Sequence, residues 1–529
     1  MNARSVQSLK MALVISLAVF ASPFRSPAQQ ADQPAPPPPP IPSEELPAGS
    51  QILAAGPVHE AFAKPVSMDP QAPIVVPKQP PPNLQEVPPA EKPDGAYIVW
   101  VPGYWAWDAD RNDFIWVSGC WRNAPPNTYW VPGHWLQVDT GWEWIGGFWK
   151  PMSDQPQQEL EYLPAPPPEF EADASGPPPQ PDDTWVPGCW YWQDGQYIPR
   201  HGYWIAPQLG WVWVPSHFAW TPRGYIFAGG HWDHDLDDRG VLFSPAYFPP
   251  DVRVSAGFVF SPSICIDLGM LRLNLFAYPA YRHYYFGDYY DDRYRHLGIY
   301  PWYQCQTVHA WYDPLFAYDR WHLGRSDPHW VADQQRGFEQ RRANRDMRPA
   351  RTFTEQQAQM ARLPANRRPE RPLAESIKTY ASSTATPGKF ERLTNAERQQ
   401  VAVKSTEVHQ LRQQRGTWER PATTASPVAQ RGPATEARPT PETRANPPVV
   451  RPTPAPSKEV RPVQVIRPPP VRVTAPEREV VNNPHSAPKP SESRYIAKEP
   501  PSHPAEERSR TEPTPSRGSA EPNSQRKQQ

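Results

Sequence analysis

The stretch Trp130–Lys150, WVPGHWLQVDTGWEWIGGFWK, places five tryptophans in twenty-one positions. It contains Trp-x-x-Gly-x-Trp twice, at Trp130–Trp135 and at Trp144–Trp149. Between them, HWLQV and GWEWI alternate and are rich in β-forming residues, and Asp-Thr-Gly separates the two as a turn. The Pro-Gly of Val-Pro-Gly suits the central pair of a type II turn, where Gly tolerates positive φ. Two turns in about fourteen residues leave room for two short strands. The stretch therefore predicts Trp-rich β-hairpins.

Working outward, the same unit recurs. Copies begin at Trp100, Trp116, Trp130 and Trp144, and again at Trp185, followed by degenerate copies at Pro199, Trp213 and Phe227. The second series keeps a period of 14, and the first departs from it once. A Pro-rich spacer, LPAPPPEFEADASGPPPQPDD, separates them, so the chain holds two arrays of four units. Side chains two apart share a strand face. Trp105 with Trp107, Trp142 with Trp144, Trp190 with Trp192, and Trp211 with Trp213 are thus expected to make one face of each array nearly continuous indole.

On these motifs the chain resembles the WXXGXW or YXWGXW repeat proteins found among exported bacterial proteins. The resemblance covers 100–232 and extends more loosely to YYFGDYYDDRYRHLGIYPWY. It implies an exported protein without an established biochemical role, and it brings no catalytic residues.

The rest of the 529 residues divides by composition. With 77 Pro and 38% hydrophobic residues, much of the length is unsuited to a packed core. Residues 1–28 have a secretory signal layout: Arg4 and Lys10, then the apolar Met11–Ala21, then small residues. The apolar run is shorter than the roughly 20 residues a membrane span needs, and no later run is apolar enough. Residues 29–95 read as a Pro-rich linker, 96–150 and 185–234 as the two hairpin arrays, and 151–184 as a Pro-rich spacer. Residues 235–332 read as a Tyr-rich β region packed against the second array. Residues 333–418 are Arg- and Gln-rich and partly helical. Thr394 and Glu397 form a capping box for a helix expected to stop at Gly416, with a thin apolar stripe of Val401, Val408 and Leu411. Residues 419–529 read as a disordered Pro-rich tail. The fold class is mainly β.

Several constellations are candidates for chemistry. The tryptophans either bury one another, each bringing about 150–250 Å² of surface, or expose a platform for flat ligands such as sugar rings. Candidates for the platform are Trp105, Trp107, Trp142, Trp144, Trp190, Trp192, Trp211 and Trp213. Cys120 and Cys189 occupy the same motif position, one in each array, so a disulfide between them would staple the arrays in an oxidising compartment. Cys265 and Cys305 would then pair with each other. His134, His217 and His231 share that motif position too. In a meander they lie about 9–10 Å apart, too far for one metal ion. Asp233, Asp235 and Asp237 alternate as in a Ca²⁺ loop, but Asp238 and Ser244 stand where an EF-hand needs Gly and Glu.

No nucleophile elbow, zincin helix, P-loop or dinucleotide fingerprint occurs, so no catalytic residue or cofactor is expected. A net charge of −1 argues against a nucleic-acid partner. The reading is an exported, non-enzymatic structural or interaction protein, secreted or periplasmic, with an envelope polysaccharide or envelope protein as partner. A glycan- or cell-wall-binding module is the competing reading, and an envelope hydrolase a distant third.

Overall fold

Two copies of the motif face each other to make one hairpin. In a computed structural model of the chain, Ile98–Val101 pairs antiparallel with Cys120–Asn123, and Tyr104–Asp108 with Asp113–Val117. Together they form a single two-stranded ribbon, 98–123, interrupted where Pro102-Gly103 lies opposite Ser118-Gly119. Three more ribbons repeat this plan at 128–151, 184–205 and 211–234. The structure describes residues 45–152, 160–168, 176–307, 311–364, 366, 369, 371–383 and 388–420, all within the compact unit Met1–Gln430. The expected signal peptide and the tail beyond residue 420 lie outside the described residues.

The fold is mainly β and hairpin-built, as expected, but the structural period is two motifs long. The reason lies in the glycine. Gly103, Gly119, Gly133, Gly147, Gly188, Gly202 and Gly230 all lack a left-handed φ, so Val-Pro-Gly bends the strand without reversing it. Reversals fall at the ribbon tips. Asp194 and Gly195, with φ of 51° and 77°, form a mirror-image turn of the kind that matches strand twist. Successive ribbons do not pair with one another into a continuous meander.

Residues 51–95, read from sequence as linker, are woven into the fold. Val75–Val76 pairs with Trp142–Glu143 on the second ribbon, and Gln85–Glu86 runs parallel to Val259–Phe260. Residues 54–63, AAGPVHEAFA, are buried throughout and thread the centre of the molecule. Proline prevents a sheet interior here but allows extended backbone, and an extended strip needs only two residues to cover an edge.

The Tyr-rich region packs mainly on the first array, correcting its expected place on the second. Phe276, Tyr278, Tyr285, Tyr289 and Tyr294 share one core cluster with Trp105, Trp107, Phe114 and Trp116. Helix Pro314–His322 lies against strand Trp211–Val214 of the fourth ribbon. Within the expected β region, VRVSAGFVF and LRLNLFAY begin helical, at Pro250–Arg253 and Leu268–Leu273. They become strands only at Val259–Phe260 and Leu275–Tyr278. The C-terminal helix opens on the expected Thr394–Glu397 capping box but runs through Gly416 to Trp418.

Candidate functional site

The register brings the tryptophans into cross-strand pairs. Trp100 faces Trp121, Trp105 faces Trp116, Trp130 faces Trp149, and Trp135 faces Trp144. Trp185–Trp204, Trp213–Trp232 and Phe218–Phe227 repeat the arrangement in the second array. Ring centroids in these pairs are 5.1–5.5 Å apart, with tilted or edge-to-face planes. Such pairs add about 0.5–1.5 kcal/mol each beyond their area burial.

The motif glycine lies under the indole of the facing motif. A Cβ on Gly147 would come within 2.4 Å of the Trp130 ring, and one on Gly119 within 2.5 Å of the Trp100 ring. One on Gly103 would sit 2.3 Å from the Val117 carbonyl oxygen. Glycine is required because the ring occupies the place of a side chain.

The bend frees backbone groups from the ladder, and buried charges satisfy them. On the amide side, Glu86 accepts from Gly103 N at 2.8 Å, Gly119 N at 3.0 Å and Trp116 Nε1 at 3.0 Å. Glu60 does the same for the second ribbon, accepting from Gly147 N at 2.8 Å and Trp144 Nε1 at 3.1 Å. In the fourth ribbon Ser216 replaces the first motif glycine, and its Oγ accepts from Gly230 N at 2.8 Å. On the carbonyl side, Arg412 donates to Gly133 O at 3.0 Å and Gly103 O at 3.1 Å, and Arg415 to Pro132 O at 2.7 Å. Burial pushes the Glu86 carboxyl up, while the three donors oppose that. Burial also pulls the Arg412 guanidinium down to about 10.

Around these caps lies a wider polar core. Asp233 bridges Arg122 at 2.5 Å and Arg239 at 2.8 Å, and those arginines donate to Ala61 O and Phe62 O of the central thread. Tyr104 stacks on Trp144 and bonds His283 at 2.9 Å, while His59 packs edge-on against Tyr104. Burial holds His59 down at about 3. These groups are paired with one another, an arrangement that fixes the fold.

The candidates from sequence find mixed places. Trp105, Trp107 and Trp144 are buried, whereas Trp142, Trp190, Trp192, Trp211 and Trp213 are half-buried. The expected disulfides are overturned. Cys120, Cys189 and Cys265 are free thiols, and the side chain of Cys305 lies outside the described residues. Cys120 joins the core cluster around Val58 and Phe62, whereas Cys189 is half-buried and lines a cavity beside Trp190 and Pro166–Pro168.

The acidic alternation does not converge. Asp233 is committed to the arginine bridge, Asp235 caps the turn Leu236–Asp238, and Asp237 pairs with Arg272 at 2.9 Å. Among the described residues no group of three or more His, Cys, Asp or Glu could hold a metal. His217 and His231 line a small cavity of about 40 Å³ beside Lys64, whereas His134 lies in the other array, 3.5 Å from Glu419.

Sequence reasoning missed Glu60, Glu86, Arg412 and Arg415. One signal was present: Glu60 is the single acid within AAGPVHEAFAK. A groove of about 810 Å³ runs along the second ribbon, floored by Trp135 and Trp142 and walled by Pro80–Pro82 and the end of the C-terminal helix.

No curated protein and no solved structure matches the chain. Residues 95–122, 129–150, 184–204 and 209–233 match a family model described as a WXXGXW repeat in two copies. Each matched stretch covers one ribbon, so the two copies are the two facing motifs, and the chain is a WXXGXW repeat-containing protein.

Proposed function

We propose that this is an exported, non-enzymatic structural and interaction protein of the cell envelope. The observation that carries this reading is the use made of the indoles. In the first array they pair across strands, cover glycines and donate to buried carboxylates and carbonyls, so they stiffen ribbons too small to cohere alone. The signal-like layout of residues 1–28 supports export. The mutual pairing of the buried His, Asp, Glu and Arg groups supports a structural use of charge. Among the described residues no helix is long and apolar enough to cross a membrane.

Acrylamide quenching of the native full-length chain tests the reading. Quenching is expected to reach a minor share of the indole emission, and soluble envelope oligosaccharides are expected to leave that emission unchanged. Quenching as complete as in denaturant, or a saturable change on adding an oligosaccharide, would replace this reading with the glycan-binding one.

A further inference from the structure

Indoles of these ribbons already hold proline carbonyls. Trp105, the last tryptophan of the first motif in ribbon 98–123, donates Nε1–H to Pro82 O at 2.8 Å. Trp190, at the same motif position in ribbon 184–205, donates to Pro168 O at 3.1 Å. Beside it, Tyr197 donates its hydroxyl to Pro164 O at 2.5 Å. Both acceptors lie in runs of consecutive prolines, Pro80–Pro82 and Pro166–Pro168. Two independent Pro-rich strips thus sit on equivalent aromatic edges of two different ribbons.

The chemistry accounts for the match. A proline strip carries carbonyl acceptors and no N–H donors, and its polyproline II backbone is extended before it binds. It is complemented by aromatic faces interspersed with donors. The groove beside ribbon 128–151 has that composition. Its floor is the half-buried pair Trp135 and Trp142, and its donors include Gln137, Gln413 and Arg420. Asp139 is its one carboxylate. One wall is Pro80–Pro82, so the groove continues the contact that Trp105 already makes. Trp135 Nε1 is taken by Trp105 O at 2.9 Å, whereas Trp142 Nε1 has no hydrogen-bond partner among the described residues.

We infer that this groove is a binding site for a polyproline II segment of a partner polypeptide, seated on Trp135 and Trp142 beside Pro80–Pro82. The inference deepens, and rests on, the interaction role proposed above. Trp142 would donate to a proline carbonyl as Trp105 and Trp190 do.

Calorimetric titration of the full-length chain with an acetylated, amidated decaproline peptide tests it. Saturable heat is expected with decaproline and none with a Gly-Ser decapeptide. Trp142→Phe keeps an aromatic floor but removes the donor, and is expected to weaken binding about tenfold, the equivalent of one hydrogen bond. Its circular dichroism should match the parent; should it not, Gln413→Ala on the groove's rim serves instead, with a smaller loss expected. Absence of saturable heat, or undiminished affinity in the variant that folds, overturns the inference. A parallel titration with a β-1,4-linked N-acetylglucosamine hexamer separates the two readings. Heat with the hexamer that Trp142→Phe abolishes would overturn the interaction role as well, whereas silence with both ligands would overturn the polyproline site alone.

Discussion

Glu86 shows what one residue does for a ribbon. The bend at Pro102-Gly103 and Ser118-Gly119 turns two amides out of the ladder, and the indole of Trp116 brings a third donor to the same spot. A single carboxylate answers all three, with two oxygens in a space where no Cβ fits on either glycine. Glu86→Ala leaves three buried donors dry, and we expect it to cost about 3–5 kcal/mol, the scale for breaking a buried charged network. Glu86→Gln keeps one acceptor but aims its amide at a donor, and about 1–3 kcal/mol is expected. Urea unfolding of the full-length chain reads both. An alanine variant as stable as the parent would show that the bend needs no cap.

At the scale of elements, the helix Asn395–Trp418 docks by charge. Its apolar stripe of Val401, Val408 and Leu411 is half-buried, while Arg412 and Arg415 are buried and reach the carbonyls of both bends in the first array. Arg415 is held in turn by Glu419 at 2.8 Å, and Glu419 accepts from Tyr162 at 3.1 Å. The helix continues through Gly416, which lies beside the ring edge of His134 with ordinary van der Waals room for a Cβ. We expect Arg412→Ala to release the C-terminal half of the helix. Hydrogen exchange should rise across 405–418 while the amides of Tyr104–Asp108 and Asp113–Val117 stay protected. Unchanged exchange in the helix would mean that the half-buried stripe suffices to hold it.

Across the whole molecule, legibility followed how local each interaction is. Trp100, Gly103 and Trp105 were readable because the motif is written within six residues and repeated, and Thr394 with Glu397 because a capping box is local. Glu60, Glu86 and Arg412 were not, because each acts on a bend far away in sequence, across as many as 309 residues for Arg412. The two-motif period was hidden for a similar reason: Pro-Gly fits a reversing turn equally well until the facing indole is present.

Those long-range burials also set the acid response. Burial pulls His59, His217 and His409 down to about 3, so the unfolded chain binds protons that the folded one refuses, and stability falls as pH drops from about 6.5 toward 3. Two carboxyls act in the opposite sense. Burial pushes Asp313 up to about 7 and Asp319 up to about 6, so the stability tied to their protonated forms is full below about 4 and is lost as pH rises through those values. Asp313 accepts from the Tyr284 hydroxyl at 2.5 Å and from Phe316 N at 2.9 Å through Oδ1, while Oδ2 is buried without a hydrogen-bond partner among the described residues. The three imidazoles outweigh the two carboxyls, so Tm is expected to climb from pH 4 to pH 7. Asp313→Asn keeps the Oδ1 contacts and removes one opposing group. At about 1.4 kcal/mol per pH unit of displacement, that group offsets at most ~4 kcal/mol of the rise. The variant's Tm should therefore climb more steeply than the parent's over the same interval, whatever its absolute stability. Parallel curves would place the titration of Asp313 outside this window.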